Sequence, residues 1–485
     1  MIFNSSLFLL YFLPAFLIIY FLLDRKFKNW FILFAGLFFY GWGAPVFLPV
    51  LMGSVIIDFF LVKGVYTSEG STRRLLFWLS VLLNLGLLLY FKYMNFFVDQ
   101  YGAVTGWFGA KPPAWTAIAL PLGISFITFQ KLSYLLDMSK KLYAPFKKIQ
   151  DYALYIFMFP QMLSGPIIRA GQIAGQITDR SAEENLDSRL IGFYRFIIGL
   201  AKKVIIADAL AGAVNPIFRL SSLELSSSLA WIGAIGYTFQ IYFDFSGYTD
   251  MAIGLARMMG FRLPENFNNP YVSKSITEFW RRWHITLSSW FRDYIFLPLA
   301  YKTSRAMPKE KYIGLRADKV IYLVATSVTF LLCGFWHGAA WTFILWGIYQ
   351  GIFLILDRLF LLKVFKRIGK IPSLVINFFT IMFGWILFRS PNLDYFYFFL
   401  RRMFSFRSMP NHLWITPKFW TMLAIAILFS FPAISKKVEA WQVKLYDNPG
   451  NRTIVIFSIL AIILFILSEA TISSNGFTPF IYFRF

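Results

Sequence analysis

Long apolar runs recur through this sequence and limit the folds that it can adopt. A helix needs about 20 predominantly apolar residues to cross a bilayer, and many runs here approach that length. Hydrophobic residues make up 58% of the 485 residues, which is more than a soluble domain of this size can bury. The sequence therefore predicts an all-α polytopic integral membrane protein.

The apolar runs predict about 11 or 12 transmembrane helices, since several runs are short. The predicted crossings lie near residues 7–23, 30–43, 46–62, 75–98, 117–136, 190–207, 229–250, 320–336, 338–356, 371–388, 419–434 and 452–468. The first run lacks a basic start and a small-residue cleavage site, so we expect it to remain as a span and not to act as a signal peptide.

Arginine and lysine are concentrated in the connections after the first, third and fifth runs. Cytoplasmic loops of membrane proteins carry this excess, so we expect the N-terminus outside and the basic loops in the cytoplasm. The same bias accounts for the net charge of +23, which in a soluble protein would indicate nucleic-acid binding.

Two segments do not fit a simple crossing. Residues 152–166 form a run of about 15 residues that ends in FPQMLSGPI. Residues 275–300 are amphipathic and have basic loops on both sides, so both ends are expected in the cytoplasm. This pattern predicts a re-entrant or interfacial helix pair beside a protein-walled cavity.

The sequence contains no visible repeat, soluble domain or low-complexity linker. We therefore predict a single membrane domain over residues 1–485. Within it we expect N-terminal helices over 1–115, a catalytic core over about 116–360 and C-terminal helices over 361–485.

Only three histidines occur in the chain, and two lie among tryptophans. His284 lies in FWRRWHITLSSWFRDYIFLPL and His337 in TFLLCGFWHGAAWTFILWG, whereas His412 is expected in a solvated loop. An ionisable group at membrane depth is costly and marks a functional candidate. Because 320–336 is short for a crossing, His337 is expected inside the membrane, near a break between two helices. It serves there as a general base or as a structural hydrogen-bonding group between helices.

Small residues surround His337 in the sequence. Gly334 and Gly338 lack side chains, which lets another backbone or a substrate approach the imidazole. Cys333 lies four residues before His337 and is either an acyl-carrying thiol or a small packing residue. It is the single cysteine, so an intramolecular disulfide and a CxxC metal site are both excluded.

The segment YTFQIYFDFSGYTDMAIG adds three polar candidates, Gln240, Asp244 and Ser246, to a run otherwise suited to lipid. An aspartate at this depth needs a partner, which we expect to be His337, an arginine or a water-filled cavity. The alternative is a structural hydrogen bond between helices.

The His284 segment carries its own set of candidates. Ser288 is four residues from His284, so the two are expected on one helix face. Arg281 and Arg282 are candidates for binding phosphates or lipid headgroups. The alternative is an interfacial helix held at the headgroups without a role in chemistry.

Together these segments resemble the membrane-bound O-acyltransferase (MBOAT) family, and most closely its bacterial alginate O-acetylation branch. The RRWH and WHG segments at this separation are highly specific together. Further matching segments are LPLGISFITFQKLSY, FPQMLSGPI, QIYFDFSGYTDMAIGLARMMGF, PENFNNPY and PFIYFRF, so the resemblance covers nearly the whole chain. One departure is that PLAYKTSRAMPKEK stands where alginate-type members have a PLGGNR-like stretch, which leaves the identity of the glycan open.

The resemblance implies a ring of helices around a central funnel with a thin membrane floor. It places the catalytic histidine at His337 and the second motif histidine at His284. Trp336 and Ser288, which lie in the same two segments, are further candidates for a supporting role. It further implies the bacterial cytoplasmic (inner) membrane, an extracytoplasmic polysaccharide acceptor and a periplasmic SGNH-type acetyltransferase as partner.

The predicted function is therefore O-acyl transfer, with His337 as base and Asp244 and His284 orienting or polarising. No bound cofactor or metal is expected. The donor is expected to be a thioester such as acetyl-CoA. The candidates for contacting its phosphates are Arg281, Arg282, Arg292 and Lys302. The alternatives are D-alanyl transfer toward teichoic acid from a carrier-protein thioester and, in another class, a proton-coupled transporter or glycan-export channel.

We expect that residues 275–300 do not cross the membrane, because basic loops flank them on both sides. In a Cys333→Ala background, single cysteines that replace Lys274 and Lys302 should both resist an impermeant thiol reagent until the membrane is permeabilised. If only one of the two sites is labelled from outside, this segment contains a full crossing.

Overall fold

The computed structural model describes residues 1–109, 111, 114–312, 314–408, 415–435, 437–438, 440, 451–476 and 478–481. Within these residues the chain is predominantly helical, and its strands are two segments of two residues each. The predicted all-α class is therefore confirmed. His412 and the last four residues of PFIYFRF lie outside the described residues.

The chain divides into two compact units. Unit 1 comprises residues 1–193 and 252–264, and unit 2 comprises residues 194–251 and 265–485. The first helices of the chain are α1 (Leu13–Leu22), α2 (Arg25–Gly43), α3 (Leu48–Thr67), α4 (Gly70–Leu88), α5 (Met94–Gly106), α6 (Ile124–Ser139), α7 (Ile149–Phe157), α8 (Phe159–Met162) and α9 (Ala170–Thr178).

The second half of the chain continues with helices and one small hairpin. The helices are α10 (Leu186–Ala201), α11 (Asp208–Ile217), α12 (Ser227–Met258), α13 (Ile276–Arg282), α14 (Ile285–Phe291), α15 (Leu297–Ala306), α16 (Ala317–His337), α17 (Trp341–Leu356), α18 (Leu362–Ile368), α19 (Lys370–Arg389), α20 (Leu393–Met403), α21 (Pro417–Ser430) and α22 (Asn451–Asn475). The hairpin pairs β1 (Lys311–Tyr312) antiparallel with β2 (Leu315–Arg316).

Short π-helical and 3₁₀ turns join several of these helices. The π-helical turns are Leu7–Phe12, Leu89–Tyr93, Lys202–Ala207, Arg292–Phe296 and Asp357–Leu361, and the 3₁₀ turns are Pro45–Phe47, Ser181–Glu183, Pro270–Val272 and Pro432–Ile434.

Six helical segments among the described residues are long and apolar enough to cross a membrane. They are Pro45–Thr67, Gly70–Gly106, Ala317–His337, Trp341–Ile368, Lys370–Arg389 and Arg452–Ser474. Two shorter apolar helices cover Leu7–Leu22 and Pro417–Ser430. The protein is therefore a multi-pass membrane protein, and the count of about 11 or 12 crossings stays a prediction.

Two details of the predicted crossings are wrong. The helix that ends at His337 has 21 residues, so at about 1.5 Å per residue it is long enough to span, because Ala317–Lys319 extend it beyond the apolar run. In the crossing predicted over 117–136, regular helix begins only at Ile124. Gly123, the residue before it, has a left-handed φ of +72°, which is incompatible with regular helix. The break after His337 lies where it was predicted, since the next helix begins at Trp341.

A buried carboxylate joins four elements of unit 1. Asp58 in α3 is completely buried and accepts hydrogen bonds from Ser80 (2.6 Å) and Asn84 (2.7 Å) in α4 and from Tyr152 (2.5 Å) in α7. Lys131 in α6 donates to the backbone oxygen of Ser54 at 3.2 Å, one turn before Asp58. Because a buried carboxylate is costly unless its oxygens are satisfied, these bonds fix how the helices of unit 1 are arranged.

Glycine lets α16 and α17 of unit 2 approach closely. A Cβ atom at Gly347 would lie 2.2 Å from the backbone oxygen of Phe330 and 2.8 Å from the Cα of Gly334. Small residues at such a crossing are typical of helices that pack inside a membrane. This contact places the end of α16, and hence His337, against α17.

We expect Gly347→Ala to destabilise the protein by about 1–3 kcal/mol, because the added methyl group overpacks the α16–α17 contact. Gly86→Ala is the matched control, since a Cβ at this helical position meets nothing within 4 Å. Thermal unfolding of the two purified variants in the same detergent measures the difference. Equal melting temperatures would contradict the close contact.

Candidate active site

His337 is the last residue of α16 and is enclosed by aromatic rings. Its side chain is 4% exposed. The imidazole lies 4.8 Å from the ring of Trp336, 4.8 Å from that of Trp346 in α17 and 5.3 Å from that of Phe388 in α19, between ring centroids. The helix stops here because Gly338 adopts an extended conformation, with a φ of −170°. The site therefore combines an imidazole, a helix end and an apolar enclosure.

The space beside the two flanking glycines is filled by α17. A Cβ at Gly338 would lie 2.2 Å from the ring of Phe343, and one at Gly334 would lie 2.4 Å from the backbone oxygen of Phe343. The sequence allowed either another backbone or a substrate to approach the imidazole beside these glycines. The structure favours the close approach of another backbone. Cys333 is buried one turn before His337.

His284 lies at a sharp break between α13 and α14. Its φ of +43° and ψ of 55° are left-handed values that a non-glycine residue rarely adopts. The expectation that His284 and Ser288 share a helix face is therefore wrong, because the helix does not continue through His284. The Ser288 hydroxyl instead donates to the backbone oxygen of Trp283 at 3.3 Å.

Asn266 holds this break from the preceding loop. Its Oδ1 lies 3.0 Å from His284 Nδ1 and accepts hydrogen bonds from the backbone N–H (3.2 Å) and the hydroxyl (2.9 Å) of Thr286. Its backbone oxygen accepts from the N–H of Ile285 at 2.9 Å. Asn266 lies in the PENFNNPY segment, and nothing in the sequence spacing links it to a residue 18 positions later.

The ring of Trp336 connects the two histidines. Its centroid lies 4.8 Å from that of His337 and 6.3 Å from that of His284. On its other side, His284 contacts the ring of Phe245 in α12 at 4.8 Å. The structure thus brings together three of the predicted site residues, which come from two distant sequence segments.

Asp244 is placed with a lysine and the C-terminal segment. One carboxylate oxygen pairs with Lys203 Nζ at 2.7 Å, and the other accepts the backbone N–H of Ile481 at 2.9 Å. Lys203 is 1% exposed at its side chain and also pairs with Asp208 at 2.6 Å. The partner of Asp244 is therefore neither His337 nor an arginine, and only the position of Lys203 in an apolar run marked it in the sequence.

Gln240 and Ser246 flank Asp244 on α12 and are buried, with 4% and 1% exposure. Gln240 Oε1 and Ser246 Oγ have no hydrogen-bond partner within the described ranges. Both residues lie on the same helix as Phe245, and the ring of Phe245 contacts His284. Polar atoms of this kind are able to meet a substrate or an ordered water.

The four basic candidates differ in their surroundings. Arg282 donates to Glu278 (3.1 Å) and to the backbone oxygen of Asn268 (3.2 Å), and Arg292 pairs with Asp293 at 2.7 Å. The remaining two candidates, Arg281 and Lys302, are exposed. In the part of the chain that the structure describes, no group of three His, Cys, Asp or Glu residues is placed to hold a metal ion.

The fold and the site together define a class of protein. It is a multi-pass helical protein in which two buried histidines contact the ring of one tryptophan. Residues 124–389 match the family model of MBOAT, the membrane-bound O-acyltransferase family. This match covers more than half of the chain and includes both histidines. The protein belongs to this family and is an O-acyltransferase, as the resemblance implied.

Three curated relatives from this family differ in the acceptor that their names give. A probable alginate O-acetylase AlgI of Azotobacter vinelandii is 34% identical over the whole of both chains. A peptidoglycan O-acetyltransferase of Helicobacter pylori is 35% identical over 81% of this chain and 78% of the relative. A teichoic acid D-alanyltransferase of Bacillus subtilis is 32% identical over 55% of this chain and 68% of the relative.

We expect Asp244→Ala to destabilise unit 2 by about 1–3 kcal/mol, because it removes one of the two carboxylates that pair with buried Lys203 and leaves the N–H of Ile481 without its acceptor. It should also make the segment that contains Ile481 more accessible to proteases. Asp318→Ala is the control, since its pair with Arg316 is largely exposed and should contribute less than about 1 kcal/mol. Thermal unfolding and limited proteolysis measure both effects, and similar behaviour of the two variants would contradict this role of Asp244.

Proposed function

We propose that this protein is an O-acetyltransferase of the bacterial cytoplasmic membrane. It passes an acetyl group from a cytoplasmic thioester donor, such as acetyl-CoA, toward the O-acetylation of an extracytoplasmic polysaccharide. The relatives support this proposal, because the names of two of the three describe O-acetylation of alginate or of peptidoglycan. The six apolar spans support a site that is reached from both sides of a membrane.

The single observation that carries the mechanism is the enclosure of His337. Its imidazole is buried among the rings of Trp336, Trp346 and Phe388 at the end of a span. In the proposed reaction His337 accepts the proton of the acceptor hydroxyl while the oxygen attacks the thioester carbonyl. The C–S bond breaks, and the imidazolium returns its proton to the departing thiolate. The apolar enclosure excludes water, which otherwise hydrolyses the thioester.

The remaining candidates take supporting roles in this proposal. His284 orients or polarises a reactant next to Trp336. Gln240 and Ser246 offer buried polar atoms on α12, Ser288 supports α14, and Asp244 orients the same region through its pair with Lys203. Arg281 and Lys302 are exposed and suited to the donor phosphates, whereas Arg282 and Arg292 already bind neighbouring carboxylates.

The acceptor in this proposal is a hydroxyl on the glycan or on a relay residue of a partner. A periplasmic SGNH-type acetyltransferase is the partner that fits, because a membrane-embedded site cannot itself reach a polymer that lies outside the bilayer. This part of the proposal rests on the family resemblance.

The second candidate function is D-alanyl transfer toward teichoic acid from a carrier-protein thioester. The teichoic acid relative from Bacillus subtilis favours it, although that match covers 55% of this chain. Acetyl-CoA and D-alanyl thioester, supplied separately to purified protein, distinguish the two. The transporter alternative has no such support, because the chain belongs to an acyltransferase family.

We expect His337→Ala to insert and fold normally but to lose acyl transfer by at least about 10²-fold, because it removes the proposed general base. Glycan acetylation in cells and transfer by the purified protein measure the loss. Membrane abundance and monodisperse elution report folding separately.

His412→Ala is the matched control, since this third histidine is expected in a solvated loop and should leave transfer unchanged. Near-normal acetylation by His337→Ala would rule out His337 as the base. Loss of the folded protein in this variant alone would assign His337 a structural role instead.

A further inference from the structure

We propose that Asn266 is a positioning residue that fixes the tautomer of His284, with the hydrogen on Nδ1 and the lone pair on Nε2. The role in catalysis rests on the proposed function, whereas the tautomer itself is a property of the folded protein. Three groups converge on one oxygen atom, Asn266 Oδ1: the Nδ1 of His284 and the backbone N–H and hydroxyl of Thr286.

The orientation of the Asn266 amide is set by the backbone of Thr286. The N–H of Thr286 points at the Asn266 side chain over 3.2 Å, and a backbone N–H only donates. The atom that it meets must therefore be the amide oxygen, Oδ1. The Thr286 hydroxyl, 2.9 Å from the same atom, agrees with this orientation.

The same oxygen determines which nitrogen of the imidazole carries the hydrogen. His284 Nδ1 lies 3.0 Å from Asn266 Oδ1, which only accepts hydrogen bonds. Nδ1 must therefore carry the hydrogen. A neutral imidazole has a single N–H, so Nε2 retains its lone pair.

Burial keeps the imidazole neutral. The His284 side chain is completely buried, and burial lowers its pKa to about 3. The charged form, in which both nitrogens carry hydrogen, is therefore disfavoured near pH 7.

The backbone supports the same arrangement on both sides of the break. The oxygen of Asn266 accepts the N–H of Ile285, and the N–H of Asn268 donates to the oxygen of Arg282 at 2.9 Å. These bonds tie the end of α13 and the start of α14 to one loop. They hold His284 in its left-handed conformation, so the side chain keeps a single direction.

The consequence is a directional role for His284. Its Nε2 accepts a hydrogen bond and has no hydrogen to donate. His284 therefore acts on a hydroxyl or thiol of a reactant, and it does not stabilise the carbonyl oxygen of the thioester by donation. This assigns His284 a hydrogen-bond-accepting role beside His337, the proposed base.

The tautomer can be read from the protein with ¹⁵N-labelled histidine in lipid nanodiscs. Correlations between ring nitrogens and carbon-bound hydrogens distinguish the two neutral tautomers, and the chain has only three histidines. His284→Gln assigns the signal. The expected result is a neutral Nδ1–H imidazole in the unmodified protein near pH 7; a neutral Nε2–H or a doubly protonated ring would overturn the proposal.

Two variants test the part that Asn266 plays. Asn266→Asp retains an oxygen acceptor and should keep the Nδ1–H form, whereas Asn266→Ala should lose it. Asn268→Ala is the matched control, because its side chain is exposed. If Asn266→Ala does not fold, the spectra of the unmodified protein and of Asn266→Asp still decide the tautomer, since a neutral ring with its hydrogen on Nε2 in either one overturns it.

Kinetics separate a positioning role from a structural one. Folded Asn266→Ala should lower kcat at least about tenfold with little change in the donor KM, and Asn266→Asp should restore most of it. Unchanged kcat in Asn266→Ala would overturn the catalytic role of the tautomer. If the protein transfers no acyl group at all, the proposed function fails while the tautomer measurement still stands or falls by itself.

Discussion

The need to satisfy polar groups buried among apolar helices governs this structure. Water is not available there to solvate a carboxylate or an imidazole, so each one must find a protein partner. Asp58 in unit 1 and Asp244 in unit 2 are both almost completely buried, and each is bound by groups from other segments. These contacts are directional, unlike apolar packing, so they select one arrangement of helices among many that would bury similar area.

Aromatic packing provides the rigid frame for the two histidines. Trp283 precedes His284 and contacts Trp385 with ring centroids 4.8 Å apart, and Trp385 stacks on Trp346 at 6.0 Å. Trp346 in turn contacts His337. All three tryptophans are 1% exposed, so large rings with few rotamers connect the two motifs. A frame of this kind holds the two imidazoles in place without charges that would have to be buried.

The sequence identified the histidines but not the groups that control them. His284 and His337 are recognisable because a polar residue in an apolar run is conspicuous. Asn266 and Lys203 are not, since the first lies in a loop with other asparagines and the second beside another lysine. Their importance comes from partners 18 and 41 positions away, His284 and Asp244. Periodicity and spacing report on neighbours along a helix, and they carry no information about such contacts.

By itself the sequence determined the membrane class, the helical fold, the family and the break after His337, because these depend on composition, run length and local motifs. The tertiary structure decided the partner of Asp244, the break at His284 and the meeting of both histidines at Trp336. It also showed that α17 fills the space beside Gly334 and Gly338. These features depend on which helices pack together, and packing depends on side-chain shape and hydrogen-bond direction across segments that are distant in the chain.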